Sequence, residues 1–387
     1  MPSTAANLPE ICATMARWLT GAPPAAPGWS AESWDTLRRA ARVHGIAPLL
    51  HEQLAATNWL DGSQRAWLAE QRTFNAQRVA RMQAELAAIL ALFAGHNLPV
   101  MPLKGAILAA TAYPDPGLRP MADLDLLVRP ADFERAAALL AQLGYRPTVA
   151  HWKHTEFCRP DNLAVVSKEV EHPDNPRRVE LHAHCRESFG GPTVEITQLM
   201  WRHAAPGELL GQPALLPEAG ALWLHLLIHA SYHFWQGRGR LVQLLDLRLL
   251  TPRVSDPARW LAAVDGRATF PALSLLQQTL PGSIAPELVA AQQKRVSPRF
   301  AAWANTLNLV NASYLNLNPP GLYVSRALRF ADGRPADIAR ALRFALLPDL
   351  NELSLDHPRL AQSRVPWLAY ALLPLDWLRR MGVGSRE

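Results

Sequence analysis

The chain has 387 residues, of which 49% are hydrophobic and 19% charged; this excludes a disordered protein and predicts two or three packed units. The formal charge of +6 comes almost wholly from arginine, because the sequence contains only four lysines. Such a charge is compatible with a nucleotide, a nucleic acid or an anionic membrane surface as partner, and equally with a general arginine-rich composition.

Residues 1–95 predict helices. Apolar residues recur at steps of three and four along one helical face, at Val79, Met82, Leu86, Ile89 and Phe93. Gly95 follows them and predicts the end of this helix. The segment from Trp34 to Leu54 has a similar pattern, and the proline-rich residues 22–28 predict a connector before it.

From residue 96 the pattern changes to short apolar runs and helical stretches, which predicts an α+β core with a small mixed sheet. Leu98–Leu103 predicts a buried strand, and a helix should follow it. Leu124–Val128 predicts a second strand, and Ala131–Leu143 predicts a helix that stops at Gly144. Further extended segments are predicted around His154–Cys158, Leu163–Val170 and Arg178–His182.

From Trp201 onward the sequence predicts helices separated by prolines. The expected organisation is therefore a helical region over residues 1–95, an α+β core over residues 96–200 and a second helical region over residues 201–387. The sequence shows neither an internal repeat nor a low-complexity tract.

Two aspartates alternate with leucines in the run Asp123-Leu124-Asp125-Leu126. Because side chains alternate across a strand, Asp123 and Asp125 should share one face while Leu124 and Leu126 point into the core. Two carboxylates on one face repel each other unless a cation lies between them. Such oxygen ligands suit Mg²⁺, with substrate phosphates completing its coordination. By itself, an Asp-x-Asp pair is equally typical of an exposed strand end.

Lys104 and Gly105 lie where a strand should end and a helix should begin. The free N–H groups at a helix start bind phosphate, and Gly105 permits close approach of the backbone. Lys104 would neutralise the charge of a triphosphate at that place. The alternative is that Lys104 is a solvated turn residue.

A third carboxylate is expected in a site that transfers nucleotidyl groups, since one group must activate the acceptor hydroxyl. The first candidate is Glu180, which would complete a second Mg²⁺ site or act as the base. It lies on the last predicted strand of the core and on the same face as His182. The alternative is an edge-strand glutamate in an ion pair with Arg177 or Arg178. Two weaker candidates on a neighbouring segment are Glu169 and Glu171.

Taken in order, five short motifs form a specific set. They are Pro102-Leu103-Lys104-Gly105-Ala106, Tyr113-Pro114, Arg119-Pro120, Asp123-Leu124-Asp125-Leu126-Leu127-Val128 and Leu143-Gly144-Tyr145. The set resembles the bacterial family of uncharacterised nucleotidyltransferases, in the polymerase-β-like superfamily, strongly from Met101 to Tyr145 and more loosely from Ala40 to Asp246. The resemblance implies a nucleotidyltransferase core in which Asp123 and Asp125 bind metal and a third acid, here Glu180, lies on a later strand.

The chain departs from the superfamily pattern at one point. The superfamily places Gly-Ser at the start of the phosphate-binding helix, whereas Gly105 is followed here by Ala106. The phosphate contact of the serine is therefore absent, and Lys104 or Arg119 would have to replace it.

A zinc-dependent hydrolase is a rival hypothesis. His225, His229 and His233 recur every four residues along one stripe of a helix, and Asp246 lies near the next helix. The rival metal site would be formed by His182, His184, His229 and Asp246. We favour a structural role for the stripe, in which one histidine bonds Asp246 or a backbone carbonyl.

The sequence thus predicts transfer of a nucleoside monophosphate from an NTP, ATP by default, to an unidentified acceptor, with Mg²⁺ or Mn²⁺ as cofactor. A small molecule, a peptide or a protein is favoured as acceptor over nucleic acid, because the sequence shows no interleaved basic and aromatic pattern. A second rival is a catalytically silent scaffold with the same fold. The intact pair Asp123 and Asp125 argues against a silent scaffold, because two like charges that serve no function would lower the stability of the fold.

The sequence has three scattered cysteines, Cys12, Cys158 and Cys185. They form neither a disulfide pattern nor a metal-binding motif, which predicts a cytoplasmic location. The N-terminus lacks a basic start followed by an apolar segment, so no signal peptide is expected. The apolar stretch Val365–Trp377 is too short to span a bilayer, so no transmembrane segment is expected. The alternative for this stretch is peripheral contact with a membrane, but packing on the protein's own core is favoured.

Overall fold

The computed structural model of the chain describes residues 6–21, 25–150, 153–316 and 323–346. Its helices are α1 (Leu8–Trp18), α2 (Ala31–Val43), α3 (Ala47–Leu54), α4 (Gly62–Gly95), α5 (Lys104–Thr111), α6 (Phe133–Gln142), α7 (Thr197–Arg202), α8 (Ala219–Gln236), α9 (Leu241–Leu250), α10 (Pro257–Ala262), α11 (Phe270–Thr279), α12 (Pro286–Gln293), α13 (Pro298–Ala304), α14 (Tyr323–Ala331) and α15 (Pro335–Leu346). Its strands are β1 (Met101–Pro102), β2 (Asp123–Leu127), β3 (Arg146–Ala150), β4 (Thr155–Cys158), β5 (Arg178–His182), β6 (Arg186–Ser188), β7 (Thr193–Glu195), β8 (Ala204–Leu209) and β9 (Gln212–Pro217).

The central sheet has five strands in the order β1-β2-β5-β4-β3. Strands β2 and β5 are parallel, while the other neighbouring pairs are antiparallel, so the sheet is mixed. Two hairpins, β6–β7 and β8–β9, lie outside this sheet. The predicted α+β architecture with a small mixed sheet is confirmed.

The long helix α4 begins and ends where local chemistry dictates. Asp61 caps its first turn, accepting a hydrogen bond from the backbone N–H of Gln64, whose side chain bonds back to the backbone of Asp61. The helix ends at Gly95, as predicted. The five apolar residues of its predicted inner face are all buried. This helix therefore provides a rigid support for the central sheet.

The extended segment predicted at Leu163–Val170 is not a strand. The side chain of Asn175 accepts hydrogen bonds from the backbone N–H groups of Val166 and Ser167 and donates one to the carbonyl of Ser167. A side chain thus takes the place of a neighbouring strand, and Val165 and Val166 are exposed.

The prediction of helices from Trp201 onward is wrong for its first part, which is the hairpin β8–β9. Its two-residue turn, Leu210-Gly211, has positive φ at both positions, 53° and 72°, the geometry favoured in tight hairpins. The backbone N–H of Leu215 also donates to the carbonyl of Val100, which ties the hairpin to the segment before β1. Helices follow from Ala219 onward.

The buried hydrophobic residues form one contact cluster that extends from Ile11 to Ala341. The division into three regions stays a prediction. Within the described residues, no helix is both long and apolar enough to cross a membrane. The stretch Val365–Trp377 lies outside the described part of the chain.

Candidate active site

Three carboxylates meet on one face of the central sheet. Asp125 on β2 lies directly opposite Glu180 on the parallel strand β5. Asp123 precedes Asp125 by two residues and therefore shares its face, while Leu124 and Leu126 are completely buried on the other side. The predicted alternation of acids and core leucines is confirmed, and the three predicted acids are brought together.

Lys104 lies among these acids. Its Nζ is 2.5 Å from Asp125 Oδ1 and 3.9 Å from Glu180 Oε2. Lys104 opens helix α5 with a φ of 46°, a left-handed conformation that is strained for a residue with a side chain. The ion pair with Asp125 holds the side chain in this position. Lys104 is thus a buried partner of the acids, and its interpretation as a solvated turn residue is wrong.

The ion pair sets the charge states of its two members. Burial by itself raises the pKa of Asp125, but the Lys104 ammonium and the hydrogen bond with His182 outweigh it and hold that pKa well below its usual range. Burial likewise opposes the charged form of Lys104, yet the carboxylates of Asp125, Glu180 and Asp123 raise its pKa. Both groups are charged at neutral pH.

The carboxyl group of Asp123 differs from that of Asp125 in its partners and in its pKa. No hydrogen bond or ion pair to its carboxylate occurs among the described residues. Burial, with the nearby charges of Glu180 and Asp125, raises the pKa of Asp123 to about 7. The protein therefore supplies one lysine for three carboxylates, and a divalent cation would complete the charge balance. Carboxylate oxygens of this kind fit Mg²⁺.

Glu180 forms contacts with two histidines. Its Oε2 is 3.3 Å from His154 Nδ1 and 3.4 Å from His182 Nε2. Burial favours the neutral form of Glu180, but the His182 contact, together with Lys104 and His154, lowers its pKa. The same His182 Nε2 lies 3.0 Å from Asp125 Oδ1, so one imidazole links two of the acids.

The alternative interpretation of Glu180 as an edge-strand ion pair is wrong. Strand β5 lies between β2 and β4, and the two candidate arginines pair with other acids. Arg177 donates to Glu85, and Arg178 lies 3.2 Å from Glu156.

Arg119 lies beside the start of α5, but its charge is already matched. Its guanidinium donates to both carboxylate oxygens of Asp246, at 3.2 and 2.7 Å, and Tyr113 donates to the same carboxylate at 2.8 Å. A Cβ on Gly105 would lie only 2.9 Å from Arg119 Nη1 and 3.0 Å from Met121 Cγ. A residue with a side chain at position 105 would therefore require Arg119 or Met121 to shift.

Comparisons with known proteins identify the family of the chain. The sequence profile of the family described as uncharacterised nucleotidyltransferase matches residues 30–280. The chain belongs to this family. Among solved structures, it is similar to an antigenic nucleotidyltransferase-like protein from Paracoccidioides brasiliensis, with 14% identity and a TM-score of 0.35, over 56% of this chain and 94% of that one. No curated protein shows significant sequence similarity to the chain.

Arg78 on α4 has a role in this member of the nucleotidyltransferase family that the sequence did not predict. Its buried guanidinium donates to five backbone carbonyls: those of Met121, Ala122, His172, Asn175 and Pro176. The first two directly precede β2, and the others lie in the loop that leads into β5. One arginine on the supporting helix thus fixes the entry points of both acid-bearing strands. A single arginine within a helix carries no local sequence signal for such a role.

The rival zinc site of the hydrolase hypothesis is not assembled. His184 pairs with Glu195 at 3.0 Å, and His229 Nδ1 lies 2.8 Å from Glu187. Asp246 is bound by Arg119 and Tyr113, so the expected contact between the histidine stripe and Asp246 is also wrong. A trio that the sequence did not suggest, His154 with Glu180 and His182, does place its ligand atoms within 4.8 Å of one another.

The weaker acid candidates lie elsewhere. Glu169 pairs with Arg42, and Glu171 lies 3.6 Å from Arg78. Both line a cavity of about 260 Å³ whose walls include none of the three site carboxylates. That cavity and the carboxylate site are therefore separate places in this family member.

Proposed function

We propose that the protein transfers a nucleoside monophosphate from an NTP, ATP by default, to an acceptor hydroxyl and releases pyrophosphate. The observation that carries this proposal is the convergence of Asp123, Asp125 and Glu180 on adjacent parallel strands, directly beside the start of α5. Buried acids in excess of their partners are unfavourable for folding, and a metal–nucleotide complex gives them a use.

Asp123 and Asp125 would hold Mg²⁺, and the same oxygen ligands would also accept Mn²⁺. Asp123 is suited to this role because it is half-buried and forms no ion pair within the described chain. When bound, the metal would neutralise the phosphate oxygens and the charge that develops on the leaving pyrophosphate.

Glu180 would accept the proton of the acceptor hydroxyl as that oxygen attacks the α-phosphorus. Its lowered pKa keeps the carboxylate ionised, so it can act as a base at neutral pH. His182, in contact with both Glu180 and Asp125, would hold the two carboxylates in register with each other.

The start of α5 would bind the phosphates. No side chain caps this helix start, so its first N–H groups are suited to an anion. Lys104 and Arg119 would add positive charge there. Lys104 Nζ faces the carboxylates, whereas Arg119 is tied to Asp246 and would act mainly by packing against Gly105.

The acceptor is proposed to be a small molecule, a peptide or a protein. To identify it, the purified protein would be incubated with each labelled NTP, Mg²⁺ and a cell lysate, and labelled products would be analysed by mass spectrometry. The expected result is a product heavier by one nucleoside monophosphate, formed by wild type and lost in the Asp123→Asn/Asp125→Asn double variant. A product of equal yield from the double variant would overturn the proposal.

Thermal stabilisation separates the proposal from its rivals. Mg²⁺ with the correct NTP should raise the melting temperature, because both bind only the folded state. A silent scaffold would show no shift with either ligand. A Mg²⁺-dependent shift that is absent in Asp123→Asn would support nucleotide binding before any acceptor is known.

A further inference from the structure

His154, Glu180 and His182 form a compact group on one side of the carboxylate site. His154 directly precedes β4, and the antiparallel pairing of Thr155 with Leu181 brings it next to β5. Within the described residues, this is the one trio of histidine, cysteine and acidic side chains whose ligand atoms lie so close together.

Two of the three ligand distances in the group fit a tetrahedral metal ion, and the third is below 4.8 Å. With metal–ligand bonds of about 2.0–2.1 Å, neighbouring ligands of a tetrahedral ion are about 3.3–3.4 Å apart. Glu180 Oε2 lies 3.3 Å from His154 Nδ1 and 3.4 Å from His182 Nε2. His182 Nε2 also lies 3.0 Å from Asp125 Oδ1, and a metal ion bound to this nitrogen would replace that hydrogen bond. Adjacent ligands of an octahedral Mg²⁺ would be closer, at about 2.9 Å.

The ligand types point the same way. Imidazole nitrogen suits Zn²⁺ and other transition metals, whereas carboxylate oxygen alone suits Mg²⁺. Two histidines and one glutamate are a ligand set that leaves a fourth tetrahedral position for water or substrate. Asp123 and Asp125 supply only oxygen, so neighbouring parts of one site differ in metal preference.

We propose that His154, Glu180 and His182 bind one Zn²⁺-like transition-metal ion next to the Mg²⁺ ligands Asp123 and Asp125. The nucleotidyl-transfer centre would then hold two chemically different metals. The part of the inference that concerns transfer rests on the proposed function, but the binding of the metal does not.

The test uses the full chain after removal of metals by a chelator. Zn²⁺ is titrated in competition with a fluorescent chelator, and the expected result is one tight site per chain. His154→Ala should weaken binding by more than about 10²-fold, because the loss of an outer-shell partner alone costs 10- to 100-fold. The matched control is His184→Ala, which removes an exposed histidine two residues beyond His182 and outside the trio.

Co²⁺ provides a second measurement, because its absorption in wild type alone reports the coordination geometry. Tetrahedral Co²⁺ with nitrogen ligands absorbs strongly in the visible, whereas octahedral Co²⁺ absorbs weakly. Strong bands that Glu180→Gln abolishes and Asp123→Asn retains would support the site. Weak bands in wild type, or a His154→Ala protein that binds Zn²⁺ like wild type, would overturn it.

The two proposals fail separately. Zn²⁺ binding with the expected variant pattern supports the metal site even in a protein that turns over no NTP. Mg²⁺-dependent transfer by a chain that binds no Zn²⁺ overturns the metal site and leaves the proposed function standing.

Discussion

Two buried charged clusters lie side by side in this protein and differ in how completely their charges are matched. The carboxylate site, formed by Asp123, Asp125, Glu180 and Lys104, has three acids and one lysine. The Arg119 clamp, formed by Tyr113, Arg119 and Asp246, has one acid and one base joined by two hydrogen bonds, with a phenol satisfying the same carboxylate.

The difference is visible in the pKa values. In the clamp, burial opposes the charged form of Arg119, but Asp246 outweighs it and raises the arginine's pKa, so the pair is charged and complete. In the carboxylate site, the pKa of Asp123 rises to about 7 because burial and the charges of Glu180 and Asp125 outweigh the opposing charges of Lys104 and Arg119. A matched buried pair serves the fold, while an unmatched one is a place for a ligand.

The largest expected effect comes from Asp123. Asp123→Asn should reduce Mg²⁺-dependent nucleotide transfer by at least about 10²-fold. Mutation of a residue that only supports a metal ligand already lowers activity by about 10- to 100-fold, and Asp123 would be a ligand itself. The unfolding free energy should stay equal or rise, since one repelling acid is removed. The control is Asp161→Asn, which changes an exposed aspartate. Near-normal transfer by Asp123→Asn would show that the metal ligands lie elsewhere.

Glu180→Gln should lower turnover by about 10²–10⁴-fold while NTP–Mg²⁺ affinity is largely kept, because the substitution removes the base and the proposed transition-metal ligand but leaves the Mg²⁺ ligands Asp123 and Asp125 in place. Calorimetry and steady-state kinetics on one preparation separate the two quantities. The matched control is Glu156→Gln, which replaces the register partner of Glu180 on β4 and removes only an ion pair with Arg178. Equal turnover in the two variants would remove Glu180 from the site.

The Arg119 clamp should show the opposite behaviour to Asp123. Arg119→Ala leaves Asp246 buried without its partner, so the unfolding free energy should fall by about 3–5 kcal/mol. Urea denaturation of this variant beside Asp123→Asn measures the contrast directly. If Arg119→Ala is as stable as wild type, the Arg119 clamp does not stabilise the fold, and the proposed contrast with the carboxylate site is wrong.

The unmatched acid also predicts a pH effect. The pKa of Asp123 lies near 3.8 in the unfolded chain and is about 7 in the folded protein. The unfolding free energy of the protein therefore falls as the pH rises from about 3.8 to about 7. Asp123→Asn removes this loss. The melting temperature of the variant should therefore exceed that of wild type more at about pH 8 than at about pH 5. If the difference in melting temperature between the variant and wild type does not change with pH, the pKa of Asp123 is not raised in the folded protein.

The smallest effect is expected for nucleotide discrimination by Lys104. Lys104→Gln should weaken NTP binding about tenfold more than NMP binding, since hydrogen bonds to charged groups contribute about 1.5–3 kcal/mol. Calorimetry with both nucleotides measures the ratio, and circular dichroism checks that the fold survives loss of the pair with Asp125. Equal weakening for both nucleotides would restrict Lys104 to neutralising the acids.

Local patterns in the sequence determined the elements and the face of the acid pair. The period of two on β2 separates Asp123 and Asp125 from the buried leucines, and the apolar stripe and terminal glycine define α4, because these features depend only on neighbouring residues. The same local reasoning failed at residues 163–170, where Asn175 replaced a neighbouring strand, and at the hairpin β8–β9.

Only the tertiary structure decided the partners of the charged side chains. It joined Arg119 to Asp246 across 127 positions and Lys104 to Asp125 across 21. It also brought His154 to Glu180, by placing β4 beside β5. Such pairs depend on strand order, register and the packing of distant helices. No local period carries that information, so the sequence indicated which acids matter but not what surrounds them.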